Sequence, residues 1–224
     1  MRRVIARELL DDLDVDDAEL AGNFDDIERA NRYFGGLAPS VDAVIACGAR
    51  TVLDVGCGSA DVDRALSAAA WRRAMPMAIV ALDLSPRIVA VARARSLNET
   101  NIEFAVGDGT ALPYADGAFD VAMCNLALHH FEPPAAVAML RELRRVSRIT
   151  PLVNDLARSR VGHVAALAFA RVLARNRLTR HDAPLSVLRA YDRNEVLDLA
   201  TRAGWRAPRV EATPFFRHRV TDRG

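Results

Sequence analysis

The sequence contains no lysine: all 30 of its basic side chains are arginine, and 29 acidic ones nearly balance them to leave a formal charge of +1. Without a basic excess the chain has no electrostatic footprint for nucleic acid, which is therefore not expected as a partner. Arginine in place of lysine, with abundant alanine, reads as the mark of a GC-rich genome. Cysteine is scarce. Cys47, Cys57 and Cys124 are odd in number, widely spaced and outside any CxxC or Cys/His cluster, so neither a disulfide framework nor a metal site is expected. A reduced, cytoplasmic protein fits this usage. Long apolar runs are also missing: the stretch from Val161 to Ala174 is broken by Arg171, and the N-terminal MRRVIARELLDDLDVDD turns acidic where an export signal needs apolar residues. No membrane partner or spanning segment is expected.

What is present is an ordinary globular composition, 51% hydrophobic and 26% charged over 224 residues, enough for one domain spanning 1–224 with attachments. Residues 4–46 read as helices, since ARELL and AELAGNFDDIERANRYF place apolar residues three and four apart until Gly35 and Gly36 stop the pattern. They form an N-terminal helical extension, 1–46. Then β-type runs alternate with helical ones: TVLDVG, a helix from Val62, AIVALDL, a helix from Pro86, IEFAVGD, FDVAMCN, a helix from Pro133, and TPLVNDL. Such alternation implies an α/β fold with a mostly parallel sheet covered on both faces. A helical insertion, 156–190, with one long helix from about Arg158 to Arg175, precedes a further helix and a final β pair.

Four sites fall at the ends of consecutive strand-type runs, where open α/β sheets bind ligands. In TVLDVGCGSAD a strand enters a glycine turn that opens a helix, a geometry that presents backbone N–H groups to a ligand. A dinucleotide fingerprint needs glycine at the sixth position from Gly56, but Asp61 stands there. Asp54 adds negative charge at the same turn, which repels a diphosphate and attracts an ammonium or sulfonium. Asp83 closes IVALDLSPR about 25 residues later, the separation of a carboxylate that accepts from ribose hydroxyls. Asp108, in VGDGT, is placed to accept from an adenine amino group, and FDVAMCN ends at Asn125 and Leu126.

In order and spacing these blocks resemble the class I, Rossmann-like S-adenosylmethionine-dependent methyltransferases, especially small-molecule enzymes of the ubiquinone and menaquinone biosynthesis type. The resemblance covers about residues 50–155. It implies a seven-stranded sheet with a helical cap after the fifth strand, and S-adenosylmethionine as cofactor. Asp54, Gly56, Cys57 and Gly58 would lie under the methionine part, Asp83 and Leu84 at the ribose, Gly107, Asp108 and Gly109 around adenine, and Asn125 and Leu126 beside the methyl group. Two departures stand out. Ala60 replaces a frequent third glycine, a mild change if its φ is negative. The link from Arg148 to Thr150 lacks the usual glycine turn, and Pro151 removes a ladder donor near the start of the fifth strand.

Methyl transfer from a sulfonium is an in-line displacement, and a base is needed only when the nucleophile carries a proton. His129 and His130 follow the fourth strand, where the methyl group is expected, and Asp155 on the neighbouring strand can orient and support one of them. Some sugar and natural-product O-methyltransferases are similar in using a His/Asp pair there. Candidate acceptor contacts are Tyr33 and Phe34, through cation–π attraction or packing, with His163, Arg189 and Tyr191, for the last two of which stitching the cap to the body is the first reading and binding acceptor oxygens the second. The reading is O-methylation of a phenolic, quinol or polyketide-like small-molecule acceptor by a monomer or homodimer. Its rivals are C-methylation of a quinol ring and a non-methylating cyclase or scaffold of the same fold.

Overall fold

Two helices, α1 (Asp17–Tyr33) and α2 (Ala38–Ala46), precede an alternation of β1 (Thr51–Val55), α3 (Asp61–Trp71), β2 (Ala78–Asp83), α4 (Pro86–Arg95), β3 (Ile102–Val106), β4 (Phe119–Asn125), α5 (Pro133–Val146) and β5 (Ser147–Leu156). Then come α6 (Arg160–Val172), α7 (Arg177–Arg189), α8 (Arg193–Arg202), β6 (Pro208–Thr213) and β7 (Arg217–Asp222). This is a computed structural model, and it describes residues 1–11, 15–222 and 224.

The strands form one seven-stranded sheet in the order β3-β2-β1-β4-β5-β7-β6. β1 to β5 are parallel, and β7 runs antiparallel between β5 and β6. The order reverses between β1 and β4, and at such a switch point the strand ends diverge to leave a crevice. Every residue of β4 is buried, as a strand covered on both faces requires. Alternate residues serve opposite faces. Val52, Met123 and Leu152 pack with α2 and α3, while Leu53, Cys124 and Val153 pack with α5 and α8.

Local signals set the helix ends around the crevice. The Ser85 hydroxyl accepts from the Ile88 N–H at 3.4 Å, with Pro86 at the first helical position of α4. Asp192 and Glu195 form a reciprocal capping box on α8.

Three expectations need correction. ARELL is not an α-helix: only Leu9–Asp11 form a short 3₁₀ turn, preceded by non-helical chain, and the remainder of that stretch, 12–14, lies outside the described residues. Docking overrides its periodicity, because the Leu9 and Leu10 N–H groups donate to the Asp182 carboxylate at 2.9 and 3.0 Å. The single helix from Arg158 to Arg175 ends at Val172, and a second helix, α7, starts after Asn176, whose side chain caps it by accepting from Leu178 N–H at 2.8 Å. The missing glycine before β5 has a plain substitute. α5 runs directly into Ser147, whose hydroxyl donates to Leu143 O at 2.6 Å and accepts from Ala122 N–H at 3.0 Å. The register is irregular only between Phe119 and Val121, and Pro151 sits opposite Ala122.

Candidate active site

A cavity of about 1200 Å³ opens over the carboxyl ends of β1, β2 and β4, more room than one small ligand needs. The turn after β1 carries Gly56 at φ +78 and Gly58 at φ +54. A Cβ on Gly56 would stand 2.8 Å from that of Ala127, so only glycine fits under the loop that follows β4. The expected free N–H groups are engaged. Gly56 and Cys57 both donate to Leu82 O, at 2.8 and 3.0 Å, and Gly58 donates to Asp83 Oδ2 at 3.2 Å. A diphosphate would find these donors taken, which agrees with the exclusion of a dinucleotide. Ala60 is also corrected, for its φ is +60, a left-handed conformation that costs an L-residue about 1–2 kcal/mol.

Asp54 lines the cavity and is fully buried, with Oδ1 unpartnered. Asp63, on the first turn of α3, is buried beside it with neither oxygen bonded. Burial, and then repulsion from Asp63, raises the Asp54 carboxyl; burial and the Asp61 charge raise Asp63. A cation bound in the cavity would relieve both. Asp61 also lines the wall and accepts from Asn31 Nδ2 at 2.9 Å. The Asp83 oxygens each accept one backbone N–H, from Ser85 at 3.0 Å and Gly58, and each keeps acceptor capacity for a ribose hydroxyl. Leu84, Gly107, Asp108 and Gly109 complete this wall. Asp108 Oδ1 is taken by Thr110, leaving Oδ2 for a ligand donor. Asn125 differs from expectation: its amide accepts from Ser40 and Asn154 and donates to Gly36 O, so its side chain holds the chain after α1. Leu126 meets the cavity in a left-handed backbone conformation, φ +55.

His129 and Asp155 come together. His129 Nδ1 lies 2.8 Å from Asp155 Oδ1, and the His129 backbone N–H donates to Oδ2 at 2.8 Å. Both groups are buried, and His129 lines the cavity. Burial acts to raise the Asp155 carboxyl, but the charge and hydrogen bond of His129 outweigh it and hold the carboxyl low. The carboxylate therefore fixes the ring, with Nε2 turned toward Glu8 Oε1 at 3.9 Å. His130 lines the same cavity but has other partners, with Nδ1 3.3 Å from Asp11 and Nε2 3.7 Å from Glu8. Burial opposes its protonation, yet the bond to Asp11 and the charge of Glu8 raise its pKa.

Of the candidate acceptor contacts, Phe34 lines the cavity, edge-on to Phe169 at 5.8 Å and Phe215 at 5.6 Å. The other four are not among its lining residues. Tyr33, the last residue of α1, points to solvent at 65% exposure, whereas Phe34 beyond the helix end turns toward α6 and the β6–β7 turn. His163 Nδ1 meets Pro184 O at 3.1 Å, between α6 and α7. The Tyr191 hydroxyl donates to Phe131 O at 2.7 Å. Arg189 pairs with Asp11 at 3.2 Å and Glu8 at 3.5 Å.

Three residues in or beside the cavity had escaped notice: Asp63, Glu8 and Arg217. Asp63 had a signal, as a second acid in the first turn after the glycine loop. Glu8 and Arg217 had none beyond the two aromatics that precede Arg217, since their places depend on distant chain. Glu8 brings a carboxylate among His129 and His130, with one ligating atom from each within 4.8 Å. Such a trio can hold a metal ion; here Glu8 accepts from the Ser186 hydroxyl at 2.9 Å and faces Arg189, so the guanidinium supplies positive charge there.

Residues 52–149 match the model of the methyltransferase-domain family. Fold, motif blocks and this match point to one class: in architecture and sequence blocks the chain resembles the Rossmann-like, class I S-adenosylmethionine-dependent methyltransferases. Within that class it is similar to the demethylmenaquinone methyltransferase of Beutenbergia cavernae, 31% identical over 148 residues, covering 61% of this chain and 56% of the relative. The enzyme of the same name from Staphylococcus carnosus is 34% identical over 94 residues, 42% of this chain and 37% of the relative. The chain thus spans about half the length, or less, of these curated relatives. The same fold occurs in a SAM-dependent methyltransferase from Aquifex aeolicus, with TM-score 0.65 and 20% identity over 92% of this chain and 97% of that one.

Proposed function

We propose that the protein transfers the methyl group of S-adenosylmethionine to a hydroxyl of a small, apolar acceptor. The observation that carries the reading is the buried His129–Asp155 pair, on the wall of a cavity whose other side is lined by Asp54, Asp61, Asp83 and Asp108. The residues fit the cofactor: Asp54 offers an unpartnered buried oxygen to a cation, Asp83 offers acceptors to ribose, and the turn withholds the N–H groups that a diphosphate would need. When bound, the cofactor supplies an electrophilic methyl group on a positively charged sulfur.

The chain's own residues do the rest. α6 lays Ala165, Ala166 and Phe169 along the cavity, and with Phe34 and Phe215 they form an apolar chamber that excludes water and aligns a flat acceptor. His129 Nε2 takes the hydroxyl proton, and Asp155, held ionised, stabilises the imidazolium that results. A second reading follows from the relatives named demethylmenaquinone methyltransferases. In it the same histidine removes a ring-hydroxyl proton and a ring carbon takes the methyl group. Incubation with methyl-labelled S-adenosylmethionine and a cell extract, with NMR of the labelled product, separates the two: an O-methyl ether supports the first and an aryl C-methyl overturns it.

A further inference from the structure

One charge in the apolar end of the cavity has no part in the chemistry above. Arg217, the first residue of β7, lines the cavity at 7% exposure. Its Nη1 donates to the Phe34 carbonyl. The buried Nε has no partner, and among the described residues no carboxylate pairs with the guanidinium. Asp155 is the acid that acts on it electrostatically, but the Asp155 oxygens already serve His129 Nδ1, His129 N–H and Leu156 N–H. Burial lowers the guanidinium pKa to about 10, so the group is cationic at neutral pH. A buried charge without a counter-charge is unfavourable, and a bound anion would relieve it.

The geometry says which anion. With Nη1 tied to Phe34, the free edge of the guanidinium is Nε and Nη2, two parallel donors spaced to match the two oxygens of a carboxylate. Arg217 pairs with Leu156 across the β5–β7 ladder, and both residues line the same cavity as His129. Phe34, Phe215 and Phe216 line the same region and suit an aromatic body. The four carboxylates of the opposite wall disfavour an anion there, so charge alone orients the molecule.

We propose that Arg217 is the anion subsite of the acceptor pocket, and that the acceptor is a carboxylate-bearing hydroxyaromatic compound. The proposal rests on reading this cavity as the acceptor pocket of a methyltransferase. The test uses the full chain saturated with S-adenosylhomocysteine, titrated calorimetrically with 6-hydroxy-2-naphthoate and with its neutral counterpart, 6-hydroxy-2-naphthamide. The acid should bind at least about tenfold tighter than the amide. Arg217→Gln should abolish that preference and Arg217→Lys should keep part of it, with S-adenosylhomocysteine affinity unchanged in both. Should Arg217→Gln not fold, the lysine variant and the unaltered protein still decide. The subsite is overturned if the acid binds no tighter than the amide, including the case where neither binds, or if the full preference survives in Arg217→Gln. Failure of S-adenosylhomocysteine to bind overturns the methyltransferase reading instead, which keeps the two distinguishable.

Discussion

The wall built by the loops after β1 to β4 holds Asp54, Asp61, Asp83 and Asp108, whereas the wall built by residues 1–11, α6, α7 and the β6–β7 turn is mostly apolar around Arg217. The acids of that second wall, Glu8, Asp11 and Asp182, are occupied by Arg189, Ser186 and backbone N–H groups. One wall thus offers crowded carboxyl groups that a cationic ligand would relieve. The other offers apolar surface and one uncompensated positive charge. On the proposed function, the difference would orient two molecules in one cavity, with the His129–Asp155 pair at the seam between the walls.

The sharpest way to test that division is to remove the seam. His129→Ala should lower turnover by about 10²–10⁴-fold, the usual contribution of a positioned base, with S-adenosylhomocysteine affinity nearly intact by calorimetry. The assay needs an acceptor whose hydroxyl is un-ionised at assay pH. Equal rates for the variant and the unaltered protein would make His129 a packing residue, and catalysis would rest on alignment alone. Asp83→Ala addresses the acidic wall by itself. Loss of hydrogen bonds to a charged group is worth about 1.5–3 kcal/mol, so cofactor affinity should fall roughly 10- to 150-fold with the acceptor KM little changed. Normal cofactor binding in a folded Asp83→Ala protein would remove Asp83 from the site.

The acidic wall and the seam should also respond oppositely to pH. The raised carboxyls of Asp54 and Asp63 favour the folded state while protonated. Their contribution is complete below the ordinary carboxylate pKa of about 3.9 and is lost as pH rises through the folded values. The lowered carboxyl of Asp155 does the reverse: its contribution is present above about 3.9 and is lost as pH falls through the folded value. Scanning calorimetry of the ligand-free protein from about pH 3 to 8 should show Asp63→Asn flattening the neutral limb and Asp155→Asn flattening the acid limb. Identical profiles for the two variants would contradict the division of charge.

The smallest expected effect concerns motion. α6 exposes Val161, Val164 and Val172 and rests mainly on α7 rather than on the sheet, so its amides should exchange faster than those of β4 and slow when both ligands are bound. Exchange as slow as the sheet, unchanged by ligand, would make α6 a fixed wall and not a cap.

How much of this was legible follows from distance along the chain. Each element of the acidic wall is local: a strand, a turn and its acid within about ten residues, as in Asp54 to Asp63 or Asp83 to Ser85. Strand periodicity, the glycine spacing and the carboxylate separation therefore revealed the fold class and the residues that line the acidic wall. The sequence also placed His129 and Asp155 at adjacent strand ends, because strand alternation fixes which ends are neighbours. It could not choose between His129 and His130, since that depends on which ring faces β5 after the 3₁₀ turn. Nor could it rank Phe34 above Tyr33, or see that the amide of Asn125 is engaged by Ser40, Asn154 and Gly36. Glu8 reaches its place only because residues 1–11 dock on α7, and Arg217 only because β7 inserts between β5 and β6. A side chain's charge is written in the sequence; whether that charge is buried, paired or left facing a cavity is decided by neighbours that only the folded sheet brings beside it.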